Sequence, residues 1–400
     1  AGKYTLSEKE ERIINLKSKT SYGNWVRMVN ELLSQEEREV LDEDGKQKTK
    51  NFSQLLSMVA SSQKQVRQFA AEALQDIFEK HLDVIEREMN SVLEDAKVDD
   101  ELRGYQRPDS SRHLSDDMDT EVVDTLVKTV GGSFDTTKDY YLFKARLMGQ
   151  KSLAYYEKAV EYGEISSKYP YSEAAEIVME TLTQLDDEFA SIFKGFVENG
   201  QIDVFPKKGK VHGAFCSSTK SILPTYILLN HNDKLSDVLT LAHEVGHGIH
   251  FELIKRNENE LNLGVSTAVA EVASTFMEDF VLQKLLEKAD DEEKLAIMTR
   301  KLDSDIATVH RQIAFYNFER QLHSSLREKG YLTKEEIGKL FREHMVSYLG
   351  KTGENSDIWW SYVPHFRSNF YVYTYASGLL ISKYFQKRAC NKTTFDYYMG

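Results

Sequence analysis

The chain has 400 residues, a formal net charge of −13 at pH 7 and 41% hydrophobic residues. This length suffices for one large domain or two lobes, and the composition is that of a folded globular protein rather than a disordered one. The acidic charge argues against nucleic acid as a partner, because it repels the phosphate backbone.

No run reaches the roughly 18 consecutive apolar residues of a membrane span, so we expect no membrane partner. Cys216 and Cys390 lie far apart in the chain, which argues against a disulfide framework. A reducing, cytoplasmic location is therefore the default expectation.

The N-terminal region reads as helices. Ser7 and Glu10 form a capping-box pattern before the first helical run. Apolar spacings of three and four residues predict a long amphipathic helix over about 61–96. The segment 104–117, GYQRPDSSRHLSDD, predicts a loop. We place a domain boundary there, with an N-terminal helical segment at 1–108 and a second domain at 109–400.

The second domain is predicted to be mainly helical with one small sheet. Helices are expected over 121–130, 134–162 and 172–197. The stretches IDVF, VHGAFC and PTYILLN, between 201 and 230, are short and rich in β-branched and aromatic residues, which predicts strands. Helices then resume, and 290–328 reads as one long helix.

The sequence LAHEVGHGIH, at 241–250, contains the motif H-E-x-x-H. On a helix this spacing places His243 and His247 on one face a turn apart, where two imidazoles can share a cation. Glu244 can then reach a water molecule at that cation without binding the cation itself. This is the zinc-peptidase pattern with glutamate as general base. The alternative is a helix with surface histidines.

A catalytic zinc ion needs a third protein ligand. The extended motif H-E-x-x-H-x-x-G-x-x-H does not fit, because His250 stands at the glycine position and Leu253 at the last histidine position. Glu271 is the first acidic residue of the next predicted helix and lies in an apolar turn. A carboxylate in such a turn needs a partner, and a metal would provide one. We therefore predict one Zn²⁺ held by His243, His247 and Glu271.

Three neighbours of these ligands have open roles. Glu278, on the same helix face as Glu271, either accepts a hydrogen bond from a ligand histidine or belongs to a structural ion pair. Asp279 is expected to be solvated. His250 either contacts substrate or packs as a structural histidine.

A second polar block, YVPHFRSNFYVYTYASG, spans 362–378. Attack on a peptide carbonyl develops negative charge on oxygen, which needs donors placed in advance. We predict that His365 and the tyrosines of this block supply them; for a single tyrosine the alternative is an aromatic core position. The alternate spacing of Tyr371, Tyr373 and Tyr375 suits one face of a strand, whereas a helix would fan them out.

Five blocks carry a resemblance to a known family. GAFC, PTYILLNHN, LAHEVGHGIH, VAEVAST and VPHFRSNFYVYTYASG occur in this order. Together they resemble the oligoendopeptidase F branch of the thimet oligopeptidase family of zinc metallopeptidases, over about 3–384. The resemblance implies a zincin-like helical fold in two lobes around a deep channel, with 109–400 as the catalytic domain.

The resemblance also implies roles for individual residues. Zinc would be bound by His243, His247 and Glu271, with Glu244 as the base. His365 and Tyr373, and after them Tyr371, would stabilise the transition state. Phe370 stands where relatives can carry tyrosine, so the tyrosine assignment can shift by a residue or two.

The resemblance makes short peptides the expected substrates. A peptide would lie extended beside the edge strand at Gly213, Ala214 and Phe215, pairing through its backbone. That mode predicts broad specificity, and a narrow channel would exclude folded proteins. Relatives usually have a further N-terminal helical region and end differently after Lys387, so we expect a truncated chain.

Two other functions stay open at this point. A helical zinc carboxypeptidase would need a cation for the terminal carboxylate, for which Arg367 and Arg320 are available. An inactive peptide-binding scaffold is the second, although it would have no need of Glu244. The sequence specifies neither the cleavage preference nor the oligomeric state.

Overall fold

The computed structural model of the protein describes residues 2–163, 165, 167–208, 210–211, 213–265 and 267–389. These residues form fifteen α-helices and five short strands, so the prediction of a mainly helical fold with a small sheet is confirmed. The helices are α1 (Glu8–Ser18), α2 (Asn24–Ser34), α3 (Phe52–Met58), α4 (Lys64–Arg103), α5 (Ser110–Ser115), α6 (Thr120–Gly131), α7 (Phe134–Leu147), α8 (Tyr171–Leu185), α9 (Asp187–Glu198), α10 (Leu235–Asn257), α11 (Thr267–Lys288), α12 (Asp291–Thr308), α13 (His310–Lys329), α14 (Lys334–Leu349) and α15 (Tyr373–Ala389). The strands are β1 (Glu37–Leu41), β2 (Gln47–Asn51), β3 (Ile202–Asp203), β4 (Phe215–Ser217) and β5 (Tyr226–Leu228).

The chain divides into two compact units that are each discontinuous in sequence. Unit 1 comprises Ala1–Tyr162 and Thr299–Tyr373, and unit 2 comprises Gly163–Met298 and Thr374–Gly400. The boundary expected near residue 108 and the channel between two lobes stay predictions. None of the described helices is long and apolar enough to cross a membrane.

Unit 1 is built around α4, which has 40 residues. Its buried stripe includes Val66, Ala70 and Leu74, at the three- and four-residue spacings that the sequence shows. The helix runs past the predicted end and stops at Gly104, whose φ of 77° closes a left-handed C-terminal cap. The capping box of Ser7 and Glu10 is also present, at the start of α1.

Four predicted segments of the chain differ from the structure. The helix expected at 134–162 ends at Leu147, and only a short 3-10 helix (Tyr155–Ala159) follows it. The loop expected at 104–117 contains α5. The single helix expected at 172–197 is two helices, because Asp186 is extended and its side chain accepts hydrogen bonds from the backbone of Glu188 and Phe189 as the N-cap of α9. The long helix expected at 290–328 is also two, α12 and α13, which meet at Val309.

Unit 2 carries the three-stranded sheet in the order β3-β5-β4. β5 pairs parallel with β3 and antiparallel with β4, with Cys216 opposite Ile227, so β4 lies at an edge of the sheet. The core packs α8, α9, α10 and α11 with this sheet. α10 contributes Leu241, Val245 and Ile249, which are all almost fully buried. The histidine motif is therefore held on a helix that the core fixes firmly.

Candidate metal centre

Helix α10 presents the two motif histidines from one face. Leu241 and Val245 point into the core, while His243 and His247 are partly exposed. The centroids of the two imidazole rings are 4.8 Å apart, and the ring planes lie at 85°. The rings therefore face one small volume, as the helical spacing predicts.

Helix α11 brings a carboxylate to the same place. Glu271 Oε2 lies 3.6 Å from His243 Nε2. One potential ligand atom from each of His243, His247 and Glu271 lies within 4.8 Å of the others. Two imidazole nitrogens and one carboxylate oxygen form a donor set of catalytic zinc sites, which keep a further position open. The residues present therefore fit the metal ion that the sequence predicts.

Close packing of α10 on α11 places Glu271. A Cβ atom at Gly246 would lie 2.7 Å from the Ala273 carbonyl oxygen and 2.8 Å from Ser274 Cα, so only glycine permits this approach. Ser274 is fully buried, and its Oγ donates to Glu271 Oε2 at 3.1 Å. Sequence reasoning missed both residues, although a glycine inside a helix is a signal of close approach.

Glu278 orients the first motif histidine. Its Oε2 lies 3.4 Å from His243 Nδ1, which leaves Nε2 facing Glu271. Burial lowers the pKa of His243, but the hydrogen bond to Glu278 and the charges of the nearby carboxylates outweigh it, and the pKa is raised. Burial, followed by the charges of His243 and His250, lowers the pKa of His247 to about 4, so that this ring is neutral at pH 7.

Glu244 is buried, with 6% of its surface exposed. Burial raises the pKa of this carboxyl. The charge of His243 and a hydrogen bond from the Cys216 N–H lower the pKa, whereas the charge of Glu271 raises it further. The net effect is a raised pKa. A carboxylate with a raised pKa beside the three potential ligands is suited to accept and return a proton.

The predicted peptide-binding segment lies at the edge of the sheet. Gly213 has a φ of 82°, Ala214 packs against the core of unit 2, and Phe215 is 46% exposed. Burial raises the pKa of the Cys216 thiol to about 12, so this thiol is protonated at neutral pH. His250 is partly buried, and burial lowers its pKa.

Asp279 is not solvated as the sequence suggested. It is only 4% exposed, and its Oδ2 accepts hydrogen bonds from Lys383 and from Gln386 Nε2, the latter at 2.7 Å. Both donors lie on α15, which these bonds fasten to α11. The prediction was wrong because the partners of Asp279 come from a distant part of the chain.

The residues predicted to stabilise the transition state lie in the C-terminal part of unit 1. His365 belongs to a short 3-10 helix, and its Nδ1 is hydrogen bonded to the Tyr371 hydroxyl. Tyr373 begins α15, is 1% exposed, and donates from its hydroxyl to Asp116 Oδ2 at 2.7 Å. The metal centre belongs to unit 2, so a joint role of the two groups stays a prediction.

A strained turn sets the position of Tyr371. Asn369 and Phe370 have positive φ angles of 43° and 59°, which side-chain-bearing residues adopt rarely. Glu319 Oε1 accepts the Phe370 N–H at 3.0 Å and is fully buried in α13. This support of the turn was not predicted, since Glu319 lies far from the turn in sequence.

A helical fold in which an H-E-x-x-H helix receives a glutamate from the next helix defines the class of helical metallopeptidases. The chain belongs to peptidase family M3, whose sequence profile matches residues 24–398.

Several proteins resemble the chain over nearly its whole length. Oligopeptidase PepF of Bacillus subtilis is 28% identical over 382 residues, which cover 94% of this chain and 57% of that protein. An oligoendopeptidase F homolog of Borreliella burgdorferi is 29% identical and covers 94% of this chain and 64% of that protein. The chain thus spans between half and two thirds of these relatives.

Solved structures share the fold. A crystal structure from Chlamydophila abortus superposes with a TM-score of 0.89 at 23% identity, covering 99% of this chain and 68% of that one. The structure of oligoendopeptidase-F from Enterococcus faecium gives a TM-score of 0.76 at 20% identity, covering 99% and 67%.

Proposed function

We propose that the protein is a zinc-dependent endopeptidase that hydrolyses short oligopeptides. The observation that carries the proposal is the convergence of His243, His247 and Glu271 within 4.8 Å, with the buried carboxyl of Glu244 on the same helix. Membership of peptidase family M3 supports peptide bonds as the target. A relative named oligoendopeptidase F, from Lactococcus lactis, supports internal cleavage of oligopeptides.

The residues of unit 2 would bind the metal and manage the proton. His243, His247 and Glu271 would hold the zinc ion, which supplies a Lewis acid that polarises a carbonyl and acidifies water. Glu244 would take a proton from the attacking water and return it to the leaving amine. Its raised pKa supports this role, because a base poised nearer to neutrality also serves as an acid.

The edge of the sheet would hold the substrate. An extended peptide would pair with the backbone of Gly213, Ala214 and Phe215, and His250 would contact its side chains. Backbone pairing reads few side chains, so we expect broad specificity. Hydrolysis of an intact folded protein as fast as of a short peptide would contradict the expected preference for short substrates.

His365 and the tyrosines beside it would be the donors to the developing oxyanion. The resemblance ranks Tyr373 before Tyr371, but the Tyr373 hydroxyl already donates to Asp116 Oδ2, which favours Tyr371. The hydrogen bond between His365 and Tyr371 keeps a ring and a hydroxyl side by side, which supports preorganised donation.

A carboxypeptidase is less well supported. Arg367 is 6% exposed and forms two hydrogen bonds with Glu88, at 3.0 and 2.6 Å, so it is already neutralised. Arg320 lies 3.7 Å from Asp109 and 3.6 Å from Asp124. Neither arginine has the unpaired charge that a terminal carboxylate would need.

Cleavage of an internally quenched peptide tests the proposal. Wild type and Glu244→Gln are assayed with and without a chelator, and the products are identified by mass. We expect wild type to cut the peptide at internal bonds. The chelator should abolish this cleavage and added zinc should restore it, whereas Glu244→Gln should not cleave the peptide. A C-terminally amidated substrate is expected to be cut at the same bond. Absence of cleavage with one zinc bound per chain would favour a peptide-binding scaffold instead.

A further inference from the structure

Unit 1 contains two cations on one continuous aromatic cluster. Lys158 Nζ lies 3.8 Å from the centre of the Tyr155 ring. Arg311 Cζ lies 5.8 Å from the centre of the Phe315 ring. Phe341 connects the two, with ring-centroid distances of 6.2 Å to Tyr155 and 6.0 Å to Phe315. The ammonium and the guanidinium thus share one apolar surrounding.

Neither cation has a carboxylate at ion-pair distance among the residues that the structure describes. Lys158 donates only to the Tyr155 carbonyl oxygen, at 3.3 Å, and Arg311 Nε is buried without a hydrogen-bond partner in that part of the chain. Burial, and after it the charge of Arg311, lowers the pKa of Lys158 to about 7. Like charges held together in an apolar surrounding are unfavourable unless an anion joins them.

The almost fully buried cations of the same unit are neutralised within the chain. They are Lys144 with Asp303 at 2.6 Å, Arg67 with Glu157 at 2.8 Å and Arg367 with Glu88 at 2.6 Å. In unit 1, a buried cation with a structural role is therefore paired with a carboxylate of the same chain. Lys158 and Arg311 differ from this pattern, which indicates an anion supplied from outside.

The two cations lie beside a residue of the proposed catalytic machinery. The Phe315 ring that contacts Arg311 also packs against His365, with centroids 6.1 Å apart. Burial, followed by the charge of Arg311, lowers the pKa of His365 to about 4. Trp359 adds a further wall, with its ring centre 5.9 Å from Lys158 Nζ. An anion bound here would lie next to His365.

We propose that Lys158 and Arg311 bind a carboxylate of the peptide ligand. A guanidinium offers paired donors and an ammonium a point charge, and together they can hold one carboxylate. The aromatic walls exclude water and strengthen the interaction. This assignment rests on the proposed function, because it takes the ligand near His365 to be a peptide. It makes an amidated peptide a weaker ligand without moving the bond that is cut.

Binding to the 400-residue chain carrying Glu244→Gln tests the site without any cleavage. A short fluorescent peptide is compared as the free acid, as the C-terminal amide, and as the amide with glutamate as its last residue. We expect the free acid to bind about tenfold or more tightly than the plain amide. The glutamate amide distinguishes a side-chain carboxylate from the terminal one as the bound group. Adding Lys158→Met is expected to abolish the preference, and Arg311→Gln serves as the second variant.

The matched control is Lys138→Met, which removes a lysine paired with the exposed Asp135. It is expected to keep the preference for the free acid. Equal affinities for all three peptides, or a preference that survives both Lys158→Met and Arg311→Gln, would overturn the proposal. A third outcome would also overturn it: the three peptides bind equally well, but sodium acetate raises the Tm of wild type and not that of Lys158→Met. The site would then bind a free anion rather than a peptide carboxylate. If the proposed peptidase function is wrong, this would be seen separately, because wild type would not cleave the quenched peptide.

Discussion

At the scale of single residues, the geometry around His243 predicts a role for Glu278 in metal affinity. A neutral amide at this position would weaken the hydrogen bond to Nδ1 and let the ring turn away from the direction of Glu271. We expect Glu278→Gln to weaken zinc binding about 10–100-fold. Competition with a chromophoric chelator measures this directly.

The control for Glu278→Gln lies on the same helix. Glu287 is exposed and faces Lys284, so Glu287→Gln removes the same charge from α11 without touching the histidine. Its zinc affinity is expected to match wild type. Equal losses in the two variants would mean that the charge of α11 matters rather than the orientation of His243.

Glu319 predicts a pH-dependent stability. Burial raises its pKa from 4.5 to about 8, against the smaller opposing effect of the Phe370 N–H. Because the folded state binds this proton more tightly than the unfolded chain, the free energy of unfolding falls as pH rises between these two values. Each pKa unit corresponds to about 1.4 kcal/mol, so the loss is on the order of a few kcal/mol.

The variant Glu319→Gln isolates this contribution. An amide can still accept the Phe370 N–H and has no proton to lose, so the stability of the variant relative to wild type should rise with pH across the window. Urea unfolding of both proteins from pH 5 to 8 measures the difference. The buried His323, whose pKa is lowered to about 3, is common to both proteins and cancels. A difference independent of pH would contradict the raised pKa.

At the scale of elements, the contact between α10 and α11 determines whether the ligands converge. In Gly246→Ala the new methyl group would meet backbone atoms of Ala273 and Ser274 at under 3 Å. The helices would have to separate, at a cost of about 1–3 kcal/mol. We expect both lower thermal stability and weaker zinc binding, measured by Tm and by chelator competition.

Gly248→Ala is the matched comparison. The nearest atoms to its methyl group would be those of the Phe196 ring, at 2.7 and 3.1 Å, and Ile227 Cδ1, at 3.5 Å, rather than backbone atoms of α11. We expect a loss of stability from this overpacking but zinc affinity close to that of wild type. If both variants lose zinc alike, general destabilisation rather than helix spacing explains the effect.

How much the sequence could predict depends on how far apart in the chain the interacting residues lie. The convergence of His243 and His247 follows from the helical period alone, and Glu271 was identified by its apolar surroundings. The burial of Asp279 could not be anticipated, because its partners Lys383 and Gln386 come from α15. In contrast, the break between α8 and α9 at Asp186 had a local signal, because aspartate is a favoured N-cap residue. The prediction of a single helix did not take this signal into account.

At the scale of the whole molecule, the proposed catalytic groups belong to different compact units. The metal ligands and Glu244 lie in unit 2, whereas His365, Tyr371 and Tyr373 lie in unit 1. Each unit is made of two stretches of chain, so neither can be expressed as one uninterrupted segment. The proposed activity therefore requires the joint folding of both units, while metal binding depends on the residues of one.

This division predicts that catalysis and metal binding respond separately to substitution. In Tyr371→Phe, loss of the hydroxyl bonded to His365 is expected to lower kcat about 10²–10³-fold, the usual effect of removing one oxyanion donor. Zinc content should stay at the wild-type level, because the three proposed ligands lie in unit 2. In Tyr373→Phe, the lost bond to Asp116 is expected to lower stability by about 1 kcal/mol, with a smaller effect on kcat.

Steady-state kinetics, metal analysis and urea unfolding of the two tyrosine variants distinguish the roles. The hydroxyl of Tyr373 is engaged by Asp116 in a buried position, which favours Tyr371 as the donor. A larger loss of kcat in Tyr373→Phe than in Tyr371→Phe would reverse this order and restore the assignment that the sequence resemblance implies. Loss of zinc in either variant would show that the tyrosines influence the metal centre itself, and the separation of roles between the units would be wrong.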